Sequence, residues 1–208
     1  RAGGLEQVGD QAGGDRLAAA VLLVLAGVGE ARRDGGDALG GAALERVDAL
    51  RQEWSEMTDT HQFNTLIRRL KMNRLGAYRV VGAPYVRPLA VDAVPALLER
   101  VHAGNVGIMF FVGNMGCIEI HSGRIESLKP MGPWLNVLDP RFNLHLRGDH
   151  IAEVWAVEKP TKRGPAISVE AFDAAGSLIL QVFGLRADRA GAPEAWAARV
   201  AALPELAA

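Results

Sequence analysis

The chain has 208 residues, enough for one domain with a sizeable core or for one domain plus an appendage. Its 23 basic residues against 24 acidic ones give no global attraction to nucleic acid or to an anionic membrane. A single cysteine, Cys117, excludes an internal disulfide framework and a four-cysteine zinc site, which fits a reducing cytoplasm.

The first predicted unit is a leader over residues 1–42. Eleven of the 24 glycines lie in residues 1–41, which hold no aromatic residue, so this part reads as low-complexity and disordered, with no function assigned to it. Its apolar run, "LAAAVLLVLAGV" at 17–28, falls short of the about 20 residues that a membrane-spanning helix needs. Glu6, Asp10 and Asp15 set against Arg1 and Arg16 make a poor signal peptide, so no membrane insertion is expected. The chain opens on Arg rather than Met, which fits a fragment, a processed product or a misplaced start.

From residue 43 the patterns sharpen into a domain predicted to run to 208. Ala43, Val47, Leu50, Trp54 and Met57 repeat at helical spacing. Asp59 followed by Gln62 resembles a variant capping box opening a second helix over about 60–71, which should bury Phe63, Leu66, Ile67 and Leu70. A third helix is predicted over 91–103, with Val94, Leu97, Leu98 and Val101 on one face. Strands follow: "VGIMFFVGN" and "GCIEIHSGRIESL" joined by a turn at 114–116, then a meander of "HIAEVWAVEKP", "PAISVEAFDA" and "SLILQVFGLR" with a turn at 173–176. Between them, "LKPMGPWLNVLDPRFNLHL" (128–146) carries three prolines and reads as a packed loop or edge strand. A closing helix is predicted over 193–203. Helices, then strands, then a helix make the fold class α+β, an antiparallel β-sheet with N-terminal helices and a C-terminal helix.

Chemistry is sparse. No nucleophile elbow, phosphate loop, dinucleotide fingerprint or carboxylate pair stands out, and the histidines lack metal-site spacing. His61 sits at the predicted start of the second helix, opposite Leu70 on the helical wheel and beside Thr65 and Arg68. Free backbone N–H groups there disfavour an imidazolium, and a neutral ring with a lone pair is what a metal ligand needs. From the helix alone a surface histidine near a cap is the plainer reading. Arg74, Lys159 and Arg186 each fall near the end of a predicted element; converged on one pocket they would bind carboxylates, while singly each is an ordinary surface cation. Gln181 and Phe183 share one sheet face, which Phe111 could join as an apolar wall.

Three stretches carry a resemblance: "MTDTHQFNTLIRRLKMNRLGAYRVVG", "GNMGCIEIHSGRIESLKPMGPWLNVLDPRFNLHLRGDHIAEVWAVEKPT" and "SVEAFDAAGSLILQVFGLR". Over about 43–203 the chain resembles the hemin-degrading factor family, the HemS/ChuX-like haem-utilisation domains. Among these it is most similar to the C-terminal repeat of the two-repeat proteins. The resemblance implies haem as cofactor, His61 as axial iron ligand, Arg74, Lys159 and Arg186 on the propionates, and Phe111, Gln181 and Phe183 lining the pocket. Phe183 falls where some members have Tyr. The missing N-terminal repeat would leave the opposite haem face open, or covered in a homodimer.

The expected function is therefore that of a cytoplasmic haem-binding protein of bacterial haem uptake and iron acquisition, carrying haem onward or assisting its breakdown. Expected partners are haem importer components or a downstream haem oxygenase, and no nucleic acid. Two alternatives stand beside it: a haem-degrading oxygenase with an external reductant, and a structural or interaction fragment that binds no haem.

Overall fold

The computed structural model describes residues 20–24, 41–114, 116–186 and 191–206. In chain order the elements are β1 (Ala20–Val24), α1 (Gly41–Ser55), α2 (Gln62–Arg69), α3 (Arg74–Val81), β2 (Val86–Leu89) and α4 (Ala93–Ala103). Then come β3 (Ile108–Gly113), β4 (Ile118–Gly123), β5 (Leu128–Met131), β6 (Trp134–Asp139) and β7 (Phe142–Arg147). The last are β8 (Glu153–Lys159), β9 (Ala166–Phe172), β10 (Leu178–Gly184) and α5 (Ala192–Ala201).

Six strands in the order β2-β8-β9-β10-β3-β4 form the main sheet, and a second sheet runs β1-β7-β6-β5. Every ladder among the described residues is antiparallel except β1 on β7. The α+β expectation holds. Of the leader, residues 20–24 form β1 and 41–42 open α1, while the remainder lies outside the described residues.

Alternation along the strands makes two cores on opposite faces of the main sheet. On one face Ile108, Phe110, Val154, Ala156, Val169, Ala171, Leu180 and Val182 pack with α4, α5 and the inner side of the second sheet. On the other face Val86, Val157 and Phe172 pack with α1, α2 and α3 through Leu50, Trp54, Phe63, Leu66, Leu75, Tyr78 and Val81. Among the described residues, the helices cover the β2, β8 and β9 side of this face and reach Leu178 at the start of β10. Beyond it, on β10, β3 and β4, Gln181, Phe183, Met109 and Phe111 stay half-buried and Ile118 and Ile120 are exposed.

Several segments differ from the sequence reading, among them β1 inside the leader and β2, neither of which was expected. Residues 128–147 form β5, β6 and β7 rather than a loop or a single edge strand. Their apolar alternation is genuine, since Leu135, Val137, Phe142, Leu144 and Leu146 are all in the core. The prolines fall where no ladder donor is needed: Pro130 on the edge strand β5, and Pro133 and Pro140 in the turns. Helix α3 was not predicted either, because Gly76 weakens its helical signal. That glycine has a reason: Asn73 Oδ1 accepts from Gly76 N at 2.6 Å, and a Cβ there would lie 2.9 Å from the same oxygen.

Candidate functional site

The α1–α2 connection folds as a clamp around His61. The Gln62 side-chain oxygen accepts from Thr58 N at 2.7 Å and from Asp59 N at 3.1 Å. Asp59 Oδ1 in turn accepts from His61 N at 2.8 Å, completing the reciprocal cap that the sequence suggested. The first turn is tight, with Gln62 N, Phe63 N and Asn64 N each bonding three residues back. His61 therefore sits one position outside the helix rather than inside it. Its ring lies with Nδ1 2.7 Å from Asp59 Oδ1, and its side chain is 90% exposed. The Asp59 carboxyl is held below its ordinary value, first by the His61 backbone N–H and then by the ring.

Arg74 and Lys159 converge, and what joins them is a residue that the sequence reading overlooked. Glu170, fully buried on β9, receives Lys159 Nζ on Oε1 at 3.0 Å and Arg74 on Oε2 at 3.1 Å. Tyr78 donates to Oε2 at 2.8 Å and Ser168 to Oε1 at 2.9 Å, while the Tyr78 hydroxyl oxygen accepts from both Arg74 and Lys159. Burial alone would raise the Glu170 carboxyl; the charges of Lys159 and then Arg74 outweigh it and bring it down to about 2. Two cations on one carboxylate leave the cluster with one positive charge in excess. Its outward member is Arg74, whose side chain is 22% exposed and also donates to Asn64 Oδ1 on α2 at 3.0 Å. Lys159 is 4% exposed, with its ammonium 4.8 Å from the Phe63 ring centroid.

The half-open sheet face adjoins this cluster through the strand register. Gln181 is paired with Glu170 on one side and with Phe111 on the other. Phe111 and Phe183 meet edge to face with centroids 5.3 Å apart, as the alternation implied. Ile118 and Ile120 on the edge strand β4 extend the apolar surface, at 59% and 56% exposure.

Arg186 is bonded to the β8–β9 connection rather than to the Glu170 cluster. It donates to the carbonyls of Arg163 at 2.5 Å, Gly164 at 3.0 Å and Pro165 at 2.5 Å. The same connection donates from Lys162 N to Thr58 O at 3.0 Å, which ties down the His61 clamp. Residues 160–165 thus gather the histidine loop, the exit of Lys159 and the guanidinium of Arg186 at one end of the sheet.

Glu170 was legible in principle: it lies in a strand whose other members are apolar or small, and a carboxylate there must be paired. Asn64 and Tyr78 carried no such signal. The other histidines lie elsewhere. His121 stacks on Phe142 at 3.8 Å with its ring held below the ordinary value by burial, and His102 and His145 bond Ile125 O and Asn136 Oδ1. Cys117 is exposed in the β3–β4 turn rather than in a strand.

A family model described as the haemin-degrading HemS.ChuX domain matches residues 71–203. The chain belongs to this family. The hemin transport protein HemS of Yersinia enterocolitica is 42% identical over 153 residues, which cover 74% of this chain and 43% of the relative. Among solved structures, the heme-binding protein PhuS of Pseudomonas aeruginosa superposes with a TM-score of 0.74 at 37% identity, over 84% of this chain and 51% of PhuS. The heme degrading enzyme ChuS of Escherichia coli O157:H7 gives 0.72 at 35% identity, over 82% and 50%. The chain spans about half the length of these relatives. His61 lies upstream of the span matched by the family model.

Proposed function

We propose that this chain binds haem on the half-open sheet face beside His61, as a cytoplasmic carrier in bacterial haem uptake and iron acquisition. The observation that carries the reading is the presence of three complementary parts on and beside one face of the sheet. These are an outward histidine with Nδ1 already engaged, an uncovered apolar face, and a cation cluster with one unbalanced positive charge. A porphyrin needs each of them: a nitrogen donor for iron, apolar cover for the ring, and cations for its carboxylates.

His61 would ligate the iron through Nε2. Phe111, Phe183 and Gln181 would line the ring, and Arg74, Lys159 and Arg186 would face the propionates. Arg74 is poised to do so at the surface, whereas Lys159 would divide its ammonium between a propionate and Glu170, to which it is already bonded. When bound, haem supplies redox and dioxygen chemistry; the chain's own residues bind and orient it and exclude water from one face. No helix among the described residues is long and apolar enough to cross a membrane. Importer components or a haem oxygenase would deliver or receive the cargo, and a homodimer would cover the outer face.

Kinship to ChuS, named a heme degrading enzyme, favours a second reading in which the bound haem is degraded with an external reductant. Haem titration of the 208-residue chain tests the main proposal: a saturable Soret shift is expected in the parent, and His61→Ala should lose the His-ligated spectrum. No saturable shift rejects haem binding, and an unchanged His61→Ala spectrum rejects the ligand. Reductant and oxygen added to the complex separate the readings, since loss of the Soret band with iron release supports degradation and a stable ferrous spectrum supports carriage.

A further inference from the structure

We infer that Asp59 is a positioning residue for His61, holding the ring in the tautomer with its proton on Nδ1 and presenting Nε2 as a bare donor. The consequence for iron rests on the haem reading above; the tautomer itself does not.

One carboxylate oxygen makes both contacts, accepting from the His61 backbone N–H at 2.8 Å and lying 2.7 Å from ring Nδ1. An ionised carboxylate can only accept, so the neutral ring must donate from Nδ1, and its lone pair is left on Nε2. Sharing one oxygen between backbone and ring also fixes the side-chain rotation, because the ring cannot turn without breaking the bond. Asp59 is itself held, with its backbone N–H on the Gln62 side chain at 3.1 Å. The neighbouring Thr58 carbonyl accepts from Lys162 N at 3.0 Å, which ties the clamp to the sheet. A chain of bonds from the β8–β9 connection thus ends on one ring nitrogen, although the ring is 90% exposed. Capping the helix would require only the backbone half of this arrangement. The ring half is the outer-sphere carboxylate that orients a ligating imidazole and strengthens it as a donor.

The test is the side-chain ¹⁵N spectrum of His61 in the ligand-free protein, taken at alkaline pH, where an imidazole is neutral. Nε2 is expected to be unprotonated in the parent and in Asp59→Asn, which keeps an acceptor oxygen for both N–H groups. In Asp59→Ala the proton should move largely to Nε2. If Asp59→Ala leaves Nε2 unprotonated as in the parent, the inference is overturned, whether or not the protein binds haem. In the haem-loaded protein, Asp59→Ala should weaken binding by roughly 10- to 100-fold. The ferric–ferrous midpoint should become more positive in both variants, because both remove the negative charge behind the imidazole. Unchanged affinity in Asp59→Ala together with unchanged midpoints in both variants would refute any influence on the iron. Failure of the haem reading looks different: the parent then gives no Soret shift, while the tautomer result stands.

Discussion

The ammonium of Lys159 lies 3.0 Å from the Glu170 carboxylate, with both side chains buried beneath α1–α3 and Arg74 on the other carboxylate oxygen. A carboxylate so placed offsets the repulsion between two cations that could not otherwise lie side by side against Phe63 and Tyr78. Glu170→Gln should therefore destabilise the fold by about 3–5 kcal/mol, the cost of stranding a buried charge. Tyr78→Phe removes one donor and one acceptor from the same cluster, and should cost about 1.5–3 kcal/mol. Urea unfolding followed by tryptophan fluorescence measures both, since Trp54 packs on Tyr78 in the same core. Equal midpoints for Glu170→Gln and the parent would show that the cluster contributes little.

The same carboxyl sets an acid limit. Its folded-state value of about 2 lies below the ordinary 4.5, so the folded protein holds this proton less tightly than the unfolded chain. The stabilisation is then fully present above about pH 4.5 and fades as the pH falls toward 2. Urea midpoints of the parent should decline across that window. Those of Glu170→Gln should decline less there, because the titrating group is gone. Parallel pH profiles for the two proteins would refute the assignment.

Helices α1, α2, α4 and α5 and the β8–β10 meander were legible because their patterns are local. Leu66 lies three positions after Phe63 and both are buried, and Leu180 and Val182 alternate into the core as expected. Segment 128–147 was not legible, because its prolines are harmless only on an edge strand and in turns, and strand order is not written in local sequence. The site divides the same way. Gln181 and Phe183 shared a face by period two, and strand pairing then set Phe111 opposite Gln181. By contrast, the joint use of Glu170 by Arg74 and Lys159 spans 96 and 11 positions of sequence, beyond any local pattern. Asp59 was legible as a cap; its second contact, to the ring, depends on a rotamer.

Gly184 marks a close approach that can be tested directly. A Cβ there would lie 2.5–2.8 Å from three atoms of Trp196 on α5. The indole cannot easily retreat, since its Nε1 donates to Ile167 O at 2.8 Å and its ring is buried in the core. Gly184→Ala should destabilise by about 1–3 kcal/mol through overpacking, measured by thermal or urea unfolding. Gly164→Ala is the contrast: it has open space around the new methyl but a φ of 90°, so any loss there comes from backbone strain alone.

Ile118 and Ile120 on the edge strand β4 face solvent at 59% and 56% exposure, beside Phe111 and Phe183. Large apolar side chains on a sheet edge invite association, so their presence needs a covering partner. If haem is that partner, burying each isoleucine contributes about 1.5–3 kcal/mol to binding. Ile120→Thr keeps the branched Cβ that suits a strand and removes most of the apolar gain. Haem affinity should then fall about tenfold, while the unfolding stability stays within about 0.5 kcal/mol of the parent, because nothing among the described residues covers Ile120. Soret titration and urea unfolding of Ile120→Thr give both numbers. An unchanged affinity would move haem off this face, and a large loss of stability would mean that the face is covered by protein in solution.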